Sequence, residues 1–200
     1  MKATQSLLSS LVVCSLAGGA SAGSIALFLE NGDDGGQTFN TTFFRLTNTS
    51  APGITLDTWS MTVGDTMFLF DQLYLRREAF VGGSGSESAM LTIGERDDDG
   101  MGGDVFAYSF MNFGPGTGFE GQWDIDFDNG AFDVDARRVL FNNGVAPNAV
   151  ATFSFSDGSQ FSYTFPDLPI QDSYLLEIPS PGTVAVAFVA TVLLRRRRSA

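Results

Sequence analysis

The sequence predicts an all-β domain, an antiparallel β-sandwich of jelly-roll-like or immunoglobulin-like kind. Two patterns carry this reading. Apolar and polar residues alternate with period two over ten short runs, separated by Gly, Asn and Asp clusters at the spacing of a multistranded sandwich. Helical periodicity appears only in the two terminal segments. The composition suits such a fold: 19 Phe supply large inward-facing rings and 23 Gly supply turns.

The predicted strands, in order, are residues 24–29, 38–47, 54–63, 67–75, 88–93, 104–112, 122–128, 131–141, 149–155 and 160–165. The segment Met67–Arg77 is the most ambiguous, because MFLFDQLYLRR also fits a helical turn. The Gly-rich stretches 32–36, 82–85, 100–103 and 114–121 read as loops. They lack the strand-to-helix context and the following Lys of a phosphate cradle, so they carry no nucleotide role.

Two hairpins have a readable register. After Phe153 and Phe155 comes Asp157-Gly158, then Phe161, Tyr163 and Phe165. A two-residue turn would place these aromatics on opposite faces. A three-residue loop, Ser156-Asp157-Gly158 with Gly158 left-handed, pairs Phe153 with Phe161 and Ala151 with Tyr163 instead, and is the expectation. The second hairpin is WDIDFDNGAFDVD, residues 123–135. A type I′ turn at Asn129-Gly130 sets Phe127 opposite Phe132 and Ile125 opposite Val134, a core face. On its other face Asp126 meets Asp133 and Asp124 meets Asp135. Like charges directly across strands are destabilising, and a Ca²⁺ ion held by oxygen ligands would offset the repulsion. Asp124, Asp126, Asp133 and Asp135 are therefore candidate metal ligands, against the plainer reading of a solvated acidic face. A second candidate is the loop Arg96-Asp97-Asp98-Asp99-Gly100, with Asp97, Asp99 and Asp104 as ligands. The hairpin is not an EF-hand: Gly130 falls one place late and no Glu closes the loop.

Trp59, Trp123, Tyr74, Tyr108 and Tyr163 offer rings for stacking on sugars, but most fall on the alternation that carries Phe inward, which favours core packing. Paired carboxylates also serve glycoside hydrolysis. With 23 acids in the chain, close pairs are inevitable and carry little information. Asn40 and Asn48 each open an N-x-S/T pattern.

Composition excludes more. The chain has 200 residues, no His, one Cys and a net charge of −12. Without His there is no Ser-His-Asp triad, no Cys-His pair and no His metal site. The acidity repels phosphate backbones, so nucleic acid is not an expected partner. The sole Lys is Lys2, which removes lysine nucleophiles from the domain.

The ends differ from the middle. Residues 1–22 read as a signal peptide: Lys2, the apolar run 7–16, and the A-x-A site Ala20-Ser21-Ala22. Cys14 lies in the apolar run and would leave with it, so the exported domain folds without disulfides. Residues 23–177 then form the β-sandwich domain, where six arginines against all 23 acids leave a net charge of −17. Residues 178–200 begin with Ile178-Pro179-Ser180-Pro181-Gly182. The apolar segment 183–194 follows, then Arg195, Arg196, Arg197 and Arg198. As a helix the apolar segment reaches about 18 Å, short of a hydrocarbon core of ~30 Å, and the arginines hold its end on the cytoplasmic side. This suits transient membrane contact.

That layout resembles the PEP-CTERM sorting signal of exported bacterial surface proteins, with Ser180 standing where the family usually has Glu. The resemblance covers residues 178–200 only. It implies export, a membrane-anchored precursor, processing by an exosortase-type enzyme, and delivery to the cell surface or to an exopolysaccharide matrix. The expected function is thus a non-enzymatic surface or matrix protein, with a calcium-assisted glycan-binding module as the alternative.

Overall fold

The computed structural model describes residues 23–31, 41–71, 76–93, 102–127, 134–141 and 147–178. The chain forms β1 (Ile25–Asn31), β2 (Thr41–Asn48), β3 (Leu56–Thr62), β4 (Phe68–Asp71), β5 (Arg76–Val81), β6 (Ser88–Ile93), β7 (Gly102–Gly103), β8 (Val105–Phe113) and β9 (Gly118–Phe127). A short helix α1 (Ala136–Leu140) follows, then β10 (Val150–Phe155), β11 (Gln160–Thr164) and β12 (Ser173–Ile178). All pairings are antiparallel. One sheet runs β12-β1-β2-β9-β4-β7, with β5 also on β9; the other runs β11-β10-β3-β8-β6. The all-β expectation holds.

Period-two alternation explains most strands. In β1, Ile25, Leu27 and Leu29 face the core, and in β10, Ala151, Phe153 and Phe155 do the same. The two sheets meet through rings: Phe44 of β2 stacks on Trp123 of β9 at 4.7 Å and meets Trp59 of β3 edge-on at 5.1 Å. Aromatic pairs in these geometries add to the burial of their area.

The β10–β11 hairpin takes the expected three-residue loop. Phe153 pairs with Phe161 and Ala151 with Tyr163, Gly158 has φ +81°, and its N–H donates to the Phe155 carbonyl at 2.9 Å.

Other segments depart from expectation. Residues 134–141, the described part of the expected strand 131–141, do not form one: they lead into α1. Ala136, Val139 and Leu140 are buried at helical spacing, and the Asp135 carboxylate caps the helix by accepting the Arg137 N–H at 3.1 Å. Strands β5, β7 and β12 were not expected. β12 ends at Ile178, which is buried and opposite Ile25, so the sheet takes in the residue at which the sorting segment was expected to begin.

The topology gives the molecule two unlike poles. Ile25, Asn48, Val81, Phe113, Gly118, Phe155 and Ile178 mark one, here the lower. The connections that leave and return there, 49–55, 82–87, 114–117 and 156–159, contain two acids, Glu87 and Asp157. The described parts of the upper connections, 63–67, 102–104, 134–141, 147–149 and 165–172, contain five: Asp65, Asp104, Asp135, Asp167 and Asp172.

Candidate functional site

Of the four candidate carboxylates of the 123–135 segment, Asp124, Asp126 and Asp135 are described, and Asp124 and Asp135 belong to different elements. β9 is an interior strand whose partners are β2 on one side and β4 with β5 on the other, so Asp124 stands opposite Thr41 and Asp126 opposite Leu69. Asp133 lies outside the described residues. Asp124 and Asp126 are buried, and Asp124 accepts the Ile125 N–H at 2.9 Å.

Asp135 belongs to another structure altogether. Besides capping α1, it takes a bidentate pair from Arg137, Nε to Oδ1 at 2.8 Å and Nη2 to Oδ2 at 3.0 Å, with Arg138 at 3.9 Å. The arginines expected to lie beyond the acids instead neutralise the last of them. Arg137 also donates to the Gln171 carbonyl at 3.1 Å, tying the helix to the segment before β12.

Of the second candidate set, Asp97 and Asp99 lie outside the described residues. Asp104 is half-buried and its carbonyl accepts the Val63 N–H at 3.2 Å. Among the described residues no three acidic side chains group as metal ligands. Asp65, passed over in the sequence, sits nearby at the upper pole. It is buried, its Oδ1 accepts the Met67 N–H at 3.0 Å and its carbonyl accepts the Phe68 N–H at 3.0 Å. This is an Asx turn, recognisable from Gly64-Asp65 before an apolar run.

Three of the five aromatic candidates are core. Trp59, Trp123 and Tyr108 are fully buried, with Trp59 stacked on Tyr108 at 5.8 Å. Tyr163 is half-buried and Tyr74 lies outside the described residues. Asn48 is also buried, donating to the Ile54 and Phe113 carbonyls at 3.0 and 2.8 Å, so the fold hides that glycosylation pattern.

Among the described residues, the carboxylate held furthest below its ordinary pKa is at the lower pole. Glu87 accepts the Ser84 and Gly85 N–H groups at 2.6 and 2.8 Å and the Ser84 hydroxyl at 2.9 Å. These bonds, the Ser84 N–H first, hold its pKa down to about 2.

The sorting-signal residues Pro179, Ser180, Pro181 and Arg195–Arg198 lie outside the described residues, as does the apolar segment 183–194. Among the described residues no helix is long and apolar enough to cross a membrane. Comparison with protein-family models, with curated proteins and with solved structures finds no match.

Proposed function

We propose that this is an exported, non-enzymatic cell-surface or extracellular-matrix protein. The observation that carries the reading is the C-terminal order of Pro179-Ser180-Pro181, a short apolar segment and four arginines. An exosortase-type enzyme would process the anchored precursor. The fold supports this arrangement. β12 ends at Ile178 beside Ile25, so the domain edge and the tail meet at the lower pole. Four residues, 179–182, separate β12 from the apolar segment. At no more than ~3.6 Å per residue they tether the lower pole close to the membrane surface. The upper pole, with Asp65, Asp104, Asp135, Asp167 and Asp172, then faces away from anionic lipid, the lower-energy orientation.

Within this reading the sandwich is jelly-roll-like. β2 pairs with β9 and β3 with β8, a nested arrangement in which both connections, β2 to β3 and β8 to β9, cross between the sheets. The calcium-assisted glycan-binding alternative drew on the acidic hairpin and the aromatic supply. Asp124 and Asp126 lie on β9 opposite β2 and β4, and Trp59, Trp123 and Tyr108 are buried, which gives it less support.

Fractionation of cells producing the full chain tests the proposal. The expected result is a membrane-associated precursor chased into a shorter surface or medium form, with R195–R198 replaced by alanine blocking or misrouting that conversion. Full-length chain held in the cytoplasm would overturn it.

A further inference from the structure

Charge is unevenly divided between the two sheets. The seven-stranded sheet carries Glu30, Arg45, Glu78, Glu120, Asp124 and Asp126, among others. The five-stranded sheet has a single charged residue in its strands, Asp57, placed at the β3 bulge near the lower rim, where its carboxylate accepts the Thr55 hydroxyl at 3.1 Å. On a domain of net charge −17 this leaves one broad face nearly free of formal charge.

The register shows what replaces it. Side chains alternate across a sheet, so the residues between the buried ones face outward. One outward row crosses all five strands as Gln160, Ser154, Thr58, Ser109 and Met90. The next is Ser162, Thr152, Ser60, Ala107 and Thr92, and a third runs through Thr164, Val150, Thr62 and Val105. Neighbouring strands lie about 4.8 Å apart and alternate residues about 6.8 Å apart, so the hydroxyls form a regular array about 19 Å wide. Thr152 and Ser162 already share a hydrogen bond at 2.8 Å. Met90 and Met111, both strongly exposed, give one margin an apolar strip.

We infer that this face binds a neutral polysaccharide, lying flat across the hydroxyl rows. The inference deepens the matrix reading above and rests on it. A hydroxyl donates one hydrogen bond and accepts two, and rotates to suit, so an array of hydroxyls matches a polyol better than an ionic partner. A polyanion is repelled by the domain's net charge, and a polycation would choose the opposite sheet, which carries Glu30, Glu78 and Glu120. A second copy is the weaker match, because interface cores favour aromatic, Met and Arg anchors, and here only the methionine margin supplies one. Single hydroxyl contacts are weak, and a long chain engaging many copies at a surface gains by multivalency.

Affinity gel electrophoresis of the full chain in dextran, laminarin and galactomannan, with alginate as the polyanion, tests this. At least one neutral polymer should retard the protein, and S60D/T152D should weaken that retardation at least tenfold. E177Q on the other sheet should leave it unchanged. If S60D/T152D melts early, S60A/T152A, which adds no charge, should still weaken it several-fold. The inference is overturned by no retardation in all three neutral polymers, by binding to alginate alone, or by retardation that both double variants leave intact. It is also overturned if sedimentation shows a dimer that the aspartates dissociate. None of these outcomes alters the fractionation result, so the export reading stands or falls separately.

Discussion

The Tyr108 hydroxyl, rooted on the inner side of the five-stranded sheet, donates a 2.7 Å hydrogen bond to Glu78 on β5 of the opposite sheet. The ring is fully buried, while Glu78 is exposed. The bond therefore joins the two layers where core meets solvent.

Replacing Tyr108 with Phe keeps the ring and deletes this link. Expected destabilisation is about 1–2 kcal/mol, read from the urea midpoint. Burial, reinforced by Glu78, raises the Tyr108 pKa well above its ordinary value, and burial also raises that of Tyr163. A raised folded pKa means the stabilisation is complete below the unfolded value of about 10 and is lost as pH climbs beyond it. Wild-type stability should fall above pH ~10, and Y108F should fall less steeply. Equal slopes would show that the Tyr108 hydroxyl is not the titrating link.

Glu87 works in the opposite direction. Its pKa is lowered to about 2 by N–H donors in its own loop. The order it confers on residues 82–87 is present above the unfolded carboxylate value and lost as pH falls from there toward 2. Amide exchange at Ser84 and Gly85, followed by NMR, should accelerate over that window relative to a reference amide in β10. In E87Q exchange should be faster at neutral pH and flat across the window.

At the helix, D135A removes both the cap and the Arg137 partner. A loss of about 1–2 kcal/mol is expected for the cap. D135N keeps a capping oxygen and should lose less. Identical losses for the two variants in chemical denaturation would mean that capping contributes nothing.

Two glycines separate backbone conformation from space. Gly64 and Gly158 both have positive φ, +85° and +81°. A Cβ at Gly64 would collide with the Pro147 and Asn148 carbonyls, whereas one at Gly158 meets open space. G158A should cost about 1–2 kcal/mol from conformation alone, and G64A clearly more. Comparable thermal midpoints for the pair would contradict the close approach of residues 147–148 to the Gly64 turn.

Local signals in the sequence were readable where local pairing prevailed. The Phe153–Phe161 register followed from Asp157-Gly158 and the need to keep rings on one face. Asn129-Gly130 gave an equally strong local signal, yet β9 is paired along its length by β2, β4 and β5, which are distant in sequence. No turn rule reports such partners. α1 hid behind the alternating FDVD before it, although Ala136, Val139 and Leu140 carry helical spacing. β12 was legible and missed: Tyr174, Leu176 and Ile178 alternate inward with Ser173, Leu175 and Glu177 outward. The described acidic candidates are placed by their partners: Asp135 pairs with Arg137, while Asp124 and Asp126 stand opposite β2 and β4. Composition states how many carboxylates a chain has, while tertiary pairing decides which of them meet.

The Ile25–Ile178 pairing joins the first strand to the last. That contact closes a loop of nearly the whole domain, the slowest kind to form. In a chain delivered N-terminus first, β1 waits with one edge bare until the final strand arrives. The same few residues that complete the sheet immediately precede the tail. Under the proposed export, maturation of the fold and presentation of the tail would become one timed event, with the sheet acting as its own checkpoint.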